Sequence, residues 1–482
     1  MHKKIVIVGS GTAGLISAVM MRNYWRGKVD ISLYHDSTDK TIAVGESTTP
    51  IIGLLLQHLG ITTTKFLEEF KDNATIKLGI NFKNWIPNKE FFHGFIQVGL
   101  NSSDSTGVYT IPRGSFNSGI LYSRPTTFIP DLPFEEFTHA LHIDTEEFIK
   151  YLTKKLQKHI TFVDDRIEKV EVEGDNIKSI TGKATGKVEA DLFVDATGFS
   201  ALLLKHLNPK WNDVSDILPL NRAIPQQVPN TTKTLPSYTL SEATKNGWIW
   251  RLPIAKRFGT GYIYSSKFTS DEEARVDYND WLIKNYNIGL QTNRTIHYKP
   301  GYYEDHWIGN CIAVGLSSGF VEPLESTAIQ TIIQQVQEFI DINSTLKGLA
   351  YSKRLVNKAN RKLYTDVVNF ICLHYNTNRT DSEFWRYMTT NKIDWVRELD
   401  EKCKKEFLDR RTSYAEMDTW HLDSFVAIAN GLNMFTDEGI YDFSIAKPYN
   451  IEGATKREYQ KIEEAKAMMP AIPHNKVIEF YS

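Results

Sequence analysis

Two stretches of the chain set residue types at spacings that chemistry can use. Lys4-Ile5-Val6-Ile7-Val8 is a short apolar run that enters Gly9-Ser10-Gly11-Thr12-Ala13-Gly14 and continues as Leu15-Ile16-Ser17-Ala18-Val19. A strand, a glycine turn and a helix in that order form a dinucleotide-binding fingerprint. Gly9 allows the tight turn, Gly11 lets backbone N–H groups approach a pyrophosphate, and Gly14 permits close packing of helix on strand. The helix N-terminus, with Thr12 and Ala13 in its first turn, then faces the anion. Further along, Gly247-Trp248-Ile249-Trp250-Arg251-Leu252-Pro253-Ile254 places two tryptophans either side of one residue and closes on a proline. On an extended strand Trp248 and Trp250 point the same way, so both indoles would wall off a buried reaction space from bulk water. The same alternation is also that of an ordinary half-buried core strand.

Other elements must position these groups. Ile31-Ser32-Leu33-Tyr34 reads as the second strand of a dinucleotide fold, whose end should carry an acid for a ribose hydroxyl. Here His35 follows the strand and Asp36 comes one residue later, so either side chain is a candidate for that contact. Ala190-Asp191-Leu192-Phe193-Val194-Asp195-Ala196-Thr197-Gly198-Phe199 is an apolar strand ending in Asp-Ala-Thr-Gly. It resembles the second fingerprint of FAD-dependent monooxygenases and halogenases, favours FAD over NAD, and puts Asp195 and Gly198 at the cofactor. A plain strand and glycine turn would read similarly.

Over most of its length the chain resembles flavin-dependent halogenases of the tryptophan-halogenase type. The matches are Gly9 to Gly14, Val44-Gly45-Glu46-Ser47-Thr48-Thr49-Pro50, Lys77-Leu78-Gly79-Ile80, the pair Trp248 and Trp250, Gly319-Phe320-Val321-Glu322-Pro323-Leu324-Glu325-Ser326-Thr327, and Leu373-His374-Tyr375 with Phe384-Trp385. The double tryptophan is the family's distinguishing mark. The resemblance implies an α/β fold: a doubly wound, Rossmann-like FAD-binding domain of the FAD-dependent monooxygenase type, interlocked with a substrate module that ends in C-terminal helices.

It also implies a two-stage reaction in which reduced FAD takes up dioxygen and halide, and hypohalous acid travels through the protein to an electron-rich aromatic of the indole or phenol type. Lys77 meets it there, either accepting the halogen as a haloamine or, when protonated, hydrogen-bonding the hypohalous acid. Glu325 takes the proton lost by the ring, a contribution of about a hundred- to ten-thousand-fold for such a base. Val44, Glu46 and Ser326 join the cofactor-binding set. Thr327 and Ala328 match the positions whose amides hold halide, with Ala328 standing where the family usually has glycine. His93 and Phe95 match the pair that sandwiches the substrate ring, and Trp248 and Trp250 wall the passage.

Blander readings exist for each of these residues. Lys77 is one of 56 Lys and Arg residues, most of which face solvent in any protein. Glu325-Ser326-Thr327 would also cap a helix, and His93 with Phe95 would also fill a core. The C-terminal third matches the family only loosely, around Ser424-Phe425-Val426 and Gly431, so free tryptophan is not implied and carrier-bound aromatics stay open. Chloride, bromide and iodide stay open as well.

Two rival functions remain: an aromatic monooxygenase, which would not need a remote lysine, and a flavin-binding protein that has lost its chemistry, which should show decayed motifs. A second glycine fingerprint for a nicotinamide is absent, so a separate reductase is expected to supply reduced FAD, although single-component hydroxylases also lack such a motif.

With 482 residues, 41% hydrophobic and 12% aromatic, the chain can bury a large core. A net charge of −2 argues against a nucleic-acid footprint. The N-terminus enters a strand within a few residues and no apolar run reaches membrane-spanning length, so no signal peptide or membrane contact and a cytoplasmic location are expected. Cys311, Cys372 and Cys403 lack metal-ligand spacing and read as reduced structural thiols, with no metal site. Residues 1–345 are expected to form a discontinuous FAD-binding module with substrate-side sheet segments inserted at about 78–140 and 205–300; residues 346–482 are expected to be a mostly helical substrate module. Lys353 to Phe370, Glu383 to Phe407 and Glu458 to Met469 carry helical spacing. Whether copies of the chain assemble is left open.

Overall fold

The apolar run at the N-terminus forms the strand Lys3–Val8, and Ile5 to Val8 are buried, as expected of a strand covered on both faces of a parallel sheet. A computed structural model describes residues 2–38, 45–95, 139–230, 235–405, 419–420 and 422–436 of the protein. By the contacts the chain makes with itself, it divides into two units: Met1–Phe66 with Ile143–Asp216 and Tyr298–Thr365, and Leu67–His142 with Ile217–His297 and Asp366–Ser482.

In the first unit a six-stranded sheet runs in the order Trp307–Ile308, Cys311–Ala313, Leu192–Asp195, Lys3–Val8, Val29–His35, Thr161–Asp164. All neighbours are parallel except the first pair. Lys3–Val8 is central, with Ile5 opposite both Leu192 and Ile31. The helix Thr12–Tyr24 follows the glycine turn, buries Gly14 to Met21, and packs against the helix Thr327–Ile342. This is the α/β, Rossmann-like arrangement expected from the sequence, with strand ends converging on the first turn.

The second unit is built on a seven-stranded sheet in the order Ile296–His297, Arg222–Pro229, Arg257–Tyr264, Gly247–Ile254, Tyr238–Ala243, Gly79–Lys83, Glu90–Gly94. One pairing, Tyr238–Ala243 with Gly79–Lys83, is parallel. The helix Asp271–Tyr286 covers one face, where Ile249, Phe258, Tyr262, Tyr278 and Leu282 share a core. Because Ile249 faces that helix, Trp248 and Trp250 project from the opposite face.

Two expectations about helices need correction. Residues 205–300 were expected as strands and loops, yet Asp271–Tyr286 is a helix whose N-cap Ser270 and Glu273 form a reciprocal capping box. The stretch Glu383 to Phe407 is two helices, Glu383–Thr390 and Asp394–Lys405, because the chain leaves helical geometry at Asn391 and restarts at Asp394. Ala350–His374 is one continuous helix, while Glu458 to Met469 lies outside the described residues. Among the described residues no helix is long and apolar enough to cross a membrane.

Candidate active site

In the first unit the three glycines do three different things. A side chain on Gly9, which sits at φ +109°, would place its Cβ 2.2 Å from the Ala196 carbonyl oxygen, and one on Gly14 would lie 1.9 Å from the Gly9 oxygen. Both approaches forbid a β-carbon. Gly11 has open space where its Cβ would stand, and it caps a helix that has no side-chain cap and no acid in its first turn. The first-turn N–H groups of Thr12 and Ala13, which a helix cannot satisfy within itself, the helix dipole and a clear approach suit an anion.

Asp195 is fully buried at the end of its strand, but its carboxylate serves the protein. It accepts hydrogen bonds from the backbone N–H groups of Thr197, Leu203 and Leu204 and from the Thr197 hydroxyl. It therefore shapes the turn through Gly198, which sits at φ +67° with open space at its Cβ position. His35 ends the second strand with Nδ1 3.9 Å from a carboxylate oxygen of Asp164. Asp36 folds back to accept from the Thr38 N–H and hydroxyl, which hold its carboxyl below the usual range. Glu46 is half-buried by exposure yet enclosed enough that burial pushes its carboxyl up to about 7. Val44 lies outside the described residues.

The segment carrying Glu325 ends in strained backbone. Ser326 occupies the left-handed region at φ 61° and is the N-cap of the helix Thr327–Ile342, but its side chain makes no cap; its hydroxyl donates to Ser47 Oγ at 3.0 Å. No acid stands in the first turn, so Thr327 and Ala328 begin a second electropositive helix end. Strain of this kind is maintained only where the surroundings fix it. Glu325 is 1% exposed and Thr327 is buried.

In the second unit Lys77 is not the solvated lysine that composition favours. It ends the strand Ala74–Lys77 with 0% exposure. The next residues explain its company. Leu78 N–H donates to Ser237, and the Leu78 carbonyl accepts the Phe95 N–H at 2.9 Å. Gly79 lies against the neighbouring strand so closely that a Cβ would be 2.3 Å from the His93 oxygen. Phe95 is thereby held beside Lys77, whose Nζ stands 5.1 Å from the ring centroid, a cation–π contact.

His93 is buried, with its ring edge-on to Phe95 at 6.3 Å and 69° and to Phe370 at 5.8 Å and 64°. Its Nε2 lies 2.9 Å from the Ser424 hydroxyl, on a helix, Leu422–Gly431, that packs on the strand Glu90–Gly94. Lys77, Phe95 and His93 thus share one site. Ser424 and Phe370 pack against the same histidine and are not among the candidate site residues read from the sequence. Phe370 has no cue in the sequence, and Ser424 had only a loose family match, because it comes 331 positions after the histidine it meets.

Trp248 is buried and its indole Nε1 has no hydrogen-bond partner among the described residues, whereas Trp250 is half-buried. The Trp250 ring lies over Gly261 on the neighbouring strand, where a Cβ would come within 2.0 Å of it. The motif residues His374, Tyr375, Phe384 and Trp385 pack with Phe82 and Trp85 in an aromatic core. Buried Arg379 lies 4.2 Å from the Trp385 ring and pairs with Asp381. These residues support the sheet.

Comparison with known proteins bears on this geometry. A family model for tryptophan halogenase matches residues 4–440. The chain is 32% identical over 425 residues to tryptophan 7-halogenase RebH of Lentzea aerocolonigenes, covering 80% of this chain and 78% of that protein. It is 26% identical to tryptophan 6-halogenase SttH of Streptomyces toxytricini, with 98% and 96% covered. The solved structure of Tar14, a tryptophan C-6 flavin-dependent halogenase from taromycin biosynthesis, superposes with a TM-score of 0.88 at 28% identity and covers 99% of each chain. The crystal structure of SttH gives 0.89 over the whole of both chains. The chain belongs to the tryptophan halogenase family of flavin-dependent halogenases.

Proposed function

We propose that the protein uses reduced FAD, dioxygen and halide to halogenate an electron-rich aromatic, of the indole or phenol type, held beside Lys77. The observation that carries this reading is the complete burial of Lys77 against the Phe95 ring, with His93 alongside. Burying an ammonium is costly unless the site compensates for it, and lysines buried in this way are commonly functional.

The first unit fits FAD. The clear approach at Gly11 and the uncapped helix at Thr12 suit a pyrophosphate, while Gly198 at the start of a 3-10 turn, Glu46 on a two-residue strand and Ser326 at a helix N-cap belong to the same unit. When bound and reduced, the flavin supplies hypohalous acid from dioxygen and halide. The uncapped helix end at Thr327 and Ala328 is suited to a small anion and is assigned to halide. Glu325, buried next to it in sequence, is assigned as the base for the ring proton.

In the second unit Lys77 presents the electrophile, with the π-face of Phe95 favouring an ammonium that can donate a hydrogen bond. His93 and Phe95 supply edges and faces for a flat ring. Trp248 and Trp250 keep water from that face of the sheet. Tryptophan is the substrate that RebH, SttH and Tar14 are named for, and it is the first substrate to try here. Reduced flavin is taken to come from a separate reductase.

The test is mass spectrometry after incubation with FAD, a flavin reductase, NADH, oxygen, a panel of indoles and phenols, and each halide in turn. A halogen adduct that is lost in Lys77→Ala is the expected result. A halide-independent gain of oxygen would sink the reading and promote the monooxygenase.

A further inference from the structure

The segment from Gly315 to Ser326 leads to the helix end assigned to halide, and a buried polar network ties its beginning to that same helix. Gln335, two turns into Thr327–Ile342, accepts the Gly315 N–H through Oε1 at 2.9 Å. Its Nε2 donates to Ser318 Oγ at 2.6 Å and to Asn360 Oδ1 at 2.8 Å. The Ser318 hydroxyl reaches the Gly315 oxygen at 2.7 Å and lies 2.9 Å from the Tyr364 hydroxyl, which donates to the Gly319 oxygen at 2.9 Å.

Gln335, Ser318, Asn360 and Tyr364 are all at most 3% exposed, so these bonds do not compete with water. Tyr364 is further fixed by a parallel stack on Tyr302, 4.7 Å between centroids. Gly315 is also a junction. A Cβ placed there would lie 3.1 Å from Ala13, in the first turn of the N-terminal helix, and 3.0 Å from Ile332.

One amide therefore holds the start of a loop whose end, Ser326, sits in left-handed backbone before the open helix turn. Glutamine suits this place because it accepts and donates at once. We propose that Gln335 is a positioning residue: through Gly315 and Ser318 it fixes the 315–326 segment and so sets halide affinity at Thr327–Ala328 and FAD affinity at the adjoining Ala13 turn. This rests on the function proposed above.

The decisive variant is Gln335→Glu. A protonated carboxyl accepts from Gly315 and donates one of the two bonds that the amide nitrogen makes to Ser318 and Asn360. An ionised carboxyl can only accept, and it faces the Asn360 oxygen. Steady-state halogenation at varied halide from pH 6 to 9 should then show a halide KM within about threefold of wild type at the acid end and about tenfold or more above it at the alkaline end. The value of kcat at saturating halide should change little.

Two readouts need no turnover: the FAD dissociation constant, and hydrogen exchange of the 315–326 amides corrected for intrinsic rates. Both should split with pH in the same way in Gln335→Glu and should be raised at every pH in Gln335→Leu. Tyr364→Phe, which removes one hydroxyl, should raise halide KM and exchange about threefold and serves if the Gln335 variants fail to fold.

Wild-type halide KM, FAD affinity and exchange at every pH in these variants would overturn the proposal. So would a pH-independent fall in kcat with unchanged halide KM, which marks a structural role alone. If wild type halogenates nothing, the functional reading fails and the exchange and FAD measurements decide the role of Gln335.

Discussion

The two units prepare for chemistry in opposite ways. In the first, the groups we propose to work are backbone: N–H donors at two helix ends without a side-chain cap, one opened by a glycine and the other preceded by a strained serine. Its polar side chains, Asp195 and Gln335, are spent on shaping loops. In the second, the groups we propose to work are side chains, Lys77, His93 and Phe95, brought together where the Phe95 N–H meets the Leu78 carbonyl and Gly79–Lys83 pairs with Glu90–Gly94. A backbone site depends on conformation, so it is sensitive to added atoms; a side-chain site depends on identity, so it is sensitive to removed ones.

That contrast can be broken by mutation, beginning with the largest effect. Lys77→Ala should lower halogenation about a thousandfold or more while the protein stays folded, as judged by single-turnover mass spectrometry and circular dichroism. A variant retaining a tenth of wild-type rate would remove the second unit's claim to side-chain chemistry. Glu325→Gln should cost about a hundredfold in kcat, less than the lysine, because a base assists a step that solvent can also serve.

Gly14→Ala and Gly11→Ala sharpen the point within one turn. The first should lose about 1–3 kcal/mol of stability in urea denaturation, since its Cβ has no room. The second should keep its stability within about 0.5 kcal/mol while weakening FAD binding, followed by fluorescence titration. Equal stability loss in both would mean the open space at Gly11 is not there.

The smallest effect concerns Glu46, whose folded-state value of about 7 lies above the usual 4.5. The native state holds that proton more tightly than the unfolded chain does, so stability is greatest below the unfolded value and falls as pH rises through about 7. Melting temperatures of wild type and Glu46→Gln should therefore diverge between pH 5 and 7.5, with wild type losing ground. Parallel curves would show that the carboxyl is not enclosed.

What the sequence made legible follows the same division. Gly9, Gly11 and Gly14 could be read because backbone geometry admits no other residue at two of those positions, and the alternation of Trp248 with Trp250 because a strand has period two. Lys77 could be found only through family resemblance, as burial is not written in a lysine's neighbours. Asp195 was read as a cofactor ligand from its place at a strand end, while the four hydrogen bonds it accepts come from residues that close a turn no motif describes. The Asp271–Tyr286 helix was missed although Ser270 and Glu273 spell its capping box; the aromatic and β-branched residues around it outweighed that signal. Ser424 had only a loose family match and Gln335 no signal, because each meets a partner brought to it by tertiary structure.

The hydrogen bond between His93 and Ser424 spans 331 positions of chain. At ribosomal speeds of about 5–20 residues per second, some 20 to 70 seconds separate the emergence of the two groups. During that interval the strand bearing His93 exists without the helix that covers it. A nascent or C-terminally clipped chain can thus complete its dinucleotide sheet and still lack the Ser424 partner of the imidazole, so that flavin binding alone is a poor certificate of a finished enzyme.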